Sequence, residues 1–180
     1  MTENDPFARI PQVPSFTVTS TDVVEGEQVS LAQMSGAFGV EGGGDLSPQL
    51  SWSGAPEGTR GYAITVYDPD APTQAGFWHW AVAGIPADVT SLPTGAGAVD
   101  SDLLPESAYQ LPNDARSPGF IGAAPPAGHG PHRYFIAVHA LDVPTIEVPA
   151  DSTPTFLAFN MLTHVIGRAV LVPTAEIPAA

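Results

Sequence analysis

Proline and glycine punctuate this chain from end to end, with 20 prolines and 18 glycines in 180 residues and no single linker that collects them. Proline fixes φ and removes a backbone donor, and glycine weakens the interior of any helix or strand. Many short strands joined by turns, as in an all-β sandwich or barrel, fit the pattern. Hydrophobic residues make up 43% of the chain, enough to build a core for one compact domain.

Alternation locates the strands. Residues 61–68 place Tyr62, Ile64, Val66 and Asp68 on one face. Residues 16–20, 77–85 and 133–141 also read as strands, and Ser47-Pro48-Gln49 reads as a turn leading into a short one at Trp52. Residues 41–45 form a glycine-rich loop. Residues 1–13 read as an irregular arm and 14–180 as a single domain. The stretch 93–131 has little periodicity, and so long a connection is expected to be functional or disordered. One helix is predicted: Asp151-Ser152-Thr153 offers its cap, Pro154 suits its first turn, and Phe156, Phe159, Leu162, Val165 and Ile166 form its apolar face. Gly167 is expected to end it, and residues 169–172 to form a last strand before Pro173.

Charge narrows the partners. The formal net charge is −14, and all five basic residues are arginine. Such a surface repels phosphate backbones and anionic lipid, so nucleic acid is not an expected partner, while a locally positive pocket for a small anion stays compatible. There is no cysteine, hence no disulfide or thiol chemistry. The N-terminus lacks a basic start with an apolar stretch, and no apolar run reaches the ~20 residues of a membrane span. A cytoplasmic protein is expected, and the lysine-free, Ala/Pro/Gly-rich usage points to a bacterium with GC-rich codons.

Two segments concentrate the chemistry: Asp68-Pro69-Asp70-Ala71-Pro72 with His79-Trp80, and Gly128-His129-Gly130-Pro131-His132-Arg133-Tyr134. Strand parity puts Asp68 on the face of Ile64 and Val66, His132 and Tyr134 on that of Ile136 and Val138, and His79 on that of Ala81 and Ala83. If these stripes share a core, the polar ends converge at its rim as a cleft with an apolar floor. Each residue alone has an ordinary structural role. Asp68 or Asp70 forms a turn, His79 packs in a core, Tyr134 is a strand aromatic and Arg133 an exposed strand residue.

Together these motifs resemble the phosphatidylethanolamine-binding protein family, also called Raf kinase inhibitor-like proteins. The resemblance rests on Asp68 to Pro72, on His79-Trp80 with Ala81-Val82 and Ile85-Pro86, and on Pro125-Pro126 and Gly128 with His132-Arg133-Tyr134. Ser47 to Trp52 and Ala140-Leu141-Asp142 fit its bacterial branch. The resemblance covers roughly residues 14–172. It implies an antiparallel β-sandwich with few peripheral helices and a small pocket for phosphate-like anions. Asp68 and His79 would line that pocket, Pro125 and Pro126 wall it, and His132 and Tyr134 close it. Asp70, Pro72, Trp80 and Gly128 would support it, with Asp70 bracing the loop and Arg133 structural. A cis peptide at Ala71-Pro72 and a homodimer are also implied. Ala124 departs from many relatives in the loop before the proline pair. The C-terminal end has no tyrosine, so the gate that animal members build there is not expected.

The expected ligand is a phosphate-like anion or a zwitterion such as phosphoethanolamine, without cofactor, metal or catalytic residue. Asp68 would accept from His79 or His132, or meet an ammonium; Tyr134 and backbone N–H groups of residues 122–130 would donate to the anion. Anion affinity should fall as pH rises through the histidine range, about 6.5. A regulator or inhibitor of a partner kinase or protease is the second reading. A third is a metal-dependent hydrolase using Asp68, Asp70, His79, His129 and His132, although these lack a recognised metal spacing and His129 sits on a flexible loop. Ser101, Ser107 and Ser117 lack a nucleophile-elbow sequence. His139 and His164 read as packing or surface residues.

Overall fold

The strand with the clearest alternation lies at the centre of the main sheet. In the computed structural model, which describes residues 4–179, the order is β1 (Thr17–Thr19), a 3-10 turn (Leu31–Gln33), β2 (Leu50–Ser53), β3 (Gly61–Asp68), β4 (Phe77–Pro86), β5 (Ser91–Leu92), β6 (Tyr109–Gln110), β7 (His132–Arg133), β8 (Phe135–Leu141), α1 (Pro154–Met161), β9 (Val165–Leu171) and β10 (Thr174–Ala175). Five strands form the main sheet in the order β6-β4-β3-β8-β9; β1-β2-β5 and β10-β7 form two smaller ones. All strand pairs are antiparallel. The chain is the mainly β, antiparallel sandwich that its sequence implies.

Alternation sorts the main sheet into two faces. Tyr62, Ile64, Val66, Ile136 and Val138 share one core with Leu50, Trp52 and Leu92 of the smaller sheet. Ala63, Ala81 and Ala83 face the other way and pack under Leu157 and Met161 of the helix. Burial on both faces explains why β3 and β8 are apolar along nearly their whole length.

The helix starts where expected. Thr153 accepts from the Phe156 N–H at 3.2 Å, and Pro154 occupies the first turn. It ends at Met161, however, not at Gly167. Val165 and Ile166 belong to β9, which continues through Gly167 to Leu171 along the edge of β8. β-branched residues beside an open sheet edge take the strand. The buried face is Pro154, Leu157 and Met161, whereas Phe156 and Phe159 are exposed.

The stretch 93–131 is ordered by its own hydrogen bonds. Ile121 N–H donates to the His79 carbonyl at 3.0 Å, Ala123 N–H to the Gln33 carbonyl at 2.9 Å, and Leu111 N–H to the Ala81 carbonyl at 3.0 Å. Past Pro173 a further strand, β10, sets Ala175 opposite His132. No peptide among the described residues is cis, so Ala71-Pro72 is trans. Asp68 Oδ1 holds that turn by accepting from Asp70 N–H at 2.7 Å and Ala71 N–H at 3.0 Å. The first three residues of the arm, and Ala180, lie outside the described residues.

Candidate functional site

Asp68, at the end of β3, and His132, in β7, meet almost sealed from solvent. His132 Nδ1–H donates to Asp68 Oδ2 at 2.7 Å. The other ring nitrogen of His132, Nε2, lies 2.7 Å from His129 Nδ1. Both carboxylate oxygens of Asp68 are thus engaged, one by the turn and one by the imidazole.

His79 arrives by a bulge. Val66 pairs with Trp80 but Tyr67 pairs with Trp78, which leaves His79 as the extra residue on β4. Unbroken alternation would have aimed it with Ala81 and Ala83 toward the helix. The bulge moves it to the face of Asp68, where its ring stands 5.1 Å from that of Tyr134. His79 Nδ1–H donates to the Ile121 carbonyl at 2.9 Å, not to Asp68. Burial pushes this imidazole below its usual pKa, against the opposing pull of the Ile121 carbonyl and the Asp68 charge. It is therefore neutral at pH 7, and its Nε2 carries a lone pair.

A cavity of about 160 Å³ opens between these groups. Asp68, Pro72, His79, Pro125, Pro126, His132 and Tyr134 all line it. The Tyr134 hydroxyl and His79 Nε2 have no hydrogen-bond partner among the described residues, yet neither is sealed off as Trp52 Nε1 and Thr145 Oγ1 are. Burial, then the Asp68 and Asp70 charges, raises the Tyr134 phenol, so it stays a donor.

Comparison with known proteins shows the family of the chain. The sequence profile described as "Phosphatidylethanolamine-binding protein" matches residues 19–176. The chain belongs to the phosphatidylethanolamine-binding protein family. It is 45% identical over 166 residues to the Escherichia coli UPF0098 protein YbcL, covering 92% of this chain and 90% of that one. The E. coli UPF0098 protein YbhB is 37% identical over 150 residues, 83% of this chain and 93% of that one. The crystal structure of E. coli YbcL, described as a member of the mammalian PEBP family, superposes with a TM-score of 0.87, covering 91% of this chain and 99% of that chain. The PEBP homologue CT736 of Chlamydia trachomatis superposes at 0.74 with 28% identity, covering 90% and 97%.

Other residues carried over from the family sit around the cavity rather than in it. Asp70 takes the Arg133 guanidinium in a fork, Nε–H at 2.8 Å and Nη2–H at 2.7 Å, and also accepts the Arg133 backbone N–H. Burial alone would raise this carboxyl; the hydrogen bonds and charge of Arg133 outweigh it and hold the pKa down. Trp80 is core, its indole N–H donating to Gln110 Oε1 at 2.6 Å. Gly128 adopts φ 76° and donates to the Ile177 carbonyl at 2.9 Å, so the C-terminal segment steadies the His129 loop.

Sequence reasoning gave the amides of residues 122–130 to the ligand. Several are spent within the protein: Gly122 N–H donates to Asp45 Oδ1 at 2.8 Å, Ala123 N–H to Gln33 and His129 N–H to Pro126. It also missed contributors. Asp45 ties the loop at Ala37 to Gly122 and so joins two walls of the cavity. Phe38 and Phe77, rings 6.1 Å apart edge to face, supply apolar lining. The acid within the glycine-rich run 41–45 was the one visible signal for Asp45. Of the residues in the metal reading, the two carboxylates are engaged: Asp70 holds Arg133, and Asp68 holds His132. Among the described residues no group of three or more acidic or histidine side chains is arranged for a metal.

Proposed function

We propose that this chain is a non-catalytic binding protein whose cavity takes a phosphate-like anion or the phosphoryl end of a small zwitterion such as phosphoethanolamine. The supporting observation is a matched pair of open groups on a small cavity: a phenol that donates, Tyr134, and an imidazole lone pair that accepts, His79 Nε2. An anion that keeps one proton satisfies both, taking the Tyr134 hydrogen bond on a bare oxygen and giving its own proton to His79. The Asp68–His132–His129 chain frames the cavity and offers the ring of His129 at its exposed end. Asp68 positions His132 rather than touching the anion.

The reading fixes the origin of pH dependence. A phosphomonoester loses its second proton near pH ~6. The dianion formed above that pH sets an oxygen lone pair against the lone pair of His79. Affinity falls as pH rises because the ligand deprotonates, not because His79 does. Sulfate carries no such proton. Calorimetric titration of the full chain at pH 5.5 should show phosphate and phosphoethanolamine binding about tenfold more tightly than sulfate. Equal affinity for sulfate would remove the His79 lone pair from the account.

A cytoplasmic location is part of the same proposal. No helix among the described residues is long and apolar enough to cross a membrane. A second copy of the chain and a regulated enzyme are the macromolecular partners that fit the proposal, with sedimentation of the purified chain testing the first.

A further inference from the structure

On the opposite face of the main sheet lies a much larger cleft, about 1080 Å³, bounded by arm residues 4–10, the outer faces of β3, β4, β8 and β9, and α1. Its walls are largely apolar: Trp78, Phe159, Met161, Leu162 and Val165 line it, and Phe159 is 67% exposed. In this setting sits a half-buried cation, Arg168. Phe7 of the arm covers one face of its guanidinium, with the carbon centre 4.6 Å from the ring centroid. Its Nε–H donates to His139 Nδ1 at 3.4 Å. The buried His139 is locked in turn by Thr65, whose hydroxyl oxygen lies 3.0 Å from His139 Nε2.

No carboxylate among the described residues lies within ion-pairing distance of Arg168. Asp5, in the same cleft, accepts the Phe7 N–H at 2.8 Å and acts on Arg168 only across a longer distance. A guanidinium presents five donors in a planar fork. With its face on Phe7 and its Nε–H on His139, its two terminal amino groups have no hydrogen-bond partner among the described residues, and Arg168 lines the cleft. A half-buried cation without a counter-ion is costly, and burial does depress the Arg168 pKa.

We propose that this cleft is a second ligand site, for an amphipathic organic carboxylate: the terminal amino groups of Arg168 take the carboxylate as a fork, and the apolar tail lies along Trp78, the helix residues Phe159 and Met161, and Leu162 just past the helix end. The proposal is independent of the small cavity, which opens on the other face of the same sheet. The protein's own charge makes the sign of the test sharp. A net charge of −14 disfavours any anion, so without Arg168 a neutral alcohol would bind better than the matching carboxylate.

The test uses the full chain with octanoate, hexanoate and 1-octanol, read by Trp fluorescence and by the His139 ring resonances. Octanoate should bind about tenfold more tightly than 1-octanol, reflecting the charge-assisted fork. It should also bind about tenfold more tightly than hexanoate, reflecting two buried methylenes. Arg168→Gln should abolish the preference for carboxylate over alcohol; Arg168→Lys should keep part of it; Tyr134→Phe should leave it untouched. Equal or tighter binding of 1-octanol to the unmodified chain overturns the proposal, as does failure of octanoate to bind by about 10 mM. So does a carboxylate preference that survives in Arg168→Gln. Should Arg168→Gln not fold, the octanoate and 1-octanol comparison on the unmodified chain decides alone.

Discussion

His132 and Asp68 lie 64 residues apart in sequence and meet at 2.7 Å, His132 Nδ1–H to Asp68 Oδ2, with side chains only 2% and 3% exposed. The same carboxylate caps the N–H groups of Asp70 and Ala71. One residue therefore closes a turn and joins it to β7. Asp68→Ala strands three donors at once and should cost about 3–5 kcal/mol in urea unfolding. A loss under about 1 kcal/mol would mean that the pairing is incidental.

Tyr134 separates binding from folding. Its hydroxyl has no partner within the described protein, so Tyr134→Phe removes a donor without leaving another group unpaired. The variant should unfold within about 0.5 kcal/mol of the parent. Phosphate affinity should drop roughly tenfold, the share of one hydrogen bond to a charged oxygen. Unchanged affinity, measured by calorimetry, would take the phenol out of the site.

Much of this fold is legible in sequence because single strands write their own pattern. Alternation in β3 marks both its limits and its two faces, and Asp68 at its end follows from parity. The cap at Thr153 and Pro154 likewise depends on neighbours in the chain. What parity alone misplaces is His79, because the bulge beside Trp80 is a property of pairing with Val66 and Tyr67 across two strands. The helix face fails for a related reason. Phe156, Phe159 and Leu162 recur every three residues, but tertiary packing buries Leu157 and Met161 instead. Strand β10 follows a proline and consists of two residues, too short for a period. His139 reads as ordinary packing because its partners, Thr65 and Arg168, come from strands on either side of it.

That buried histidine sets a pH dependence of stability. Burial, with the Arg168 charge, pushes His139 down to about 3, and burial also lowers His79. His139 stays neutral in the folded chain, and His79 is shifted in the same direction, while histidines of the unfolded chain take up protons near pH ~6.5. As pH falls below that value the unfolded state binds more protons, and stability drops by up to about 1.4 kcal/mol per pH unit for each such histidine. Asp70, whose pKa is held down, adds its own loss only below about pH 4. Urea unfolding between pH 6.5 and 4.5 isolates the histidines. His139→Gln should flatten the slope by about one proton; an unchanged slope would show that His139 is protonated in the fold.

The most direct measurement is a histidine-ring NMR titration with phosphoethanolamine at pH 5.5, since the chain has five histidines and the structure assigns each a distinct place. His79, His129 and His132 border or adjoin the small cavity, whereas His139 and His164 lie away from it. The account predicts saturable shifts of His79 and His132, with His139 and His164 unmoved. Shifts absent at saturating ligand, or spread equally over all five rings, would contradict it.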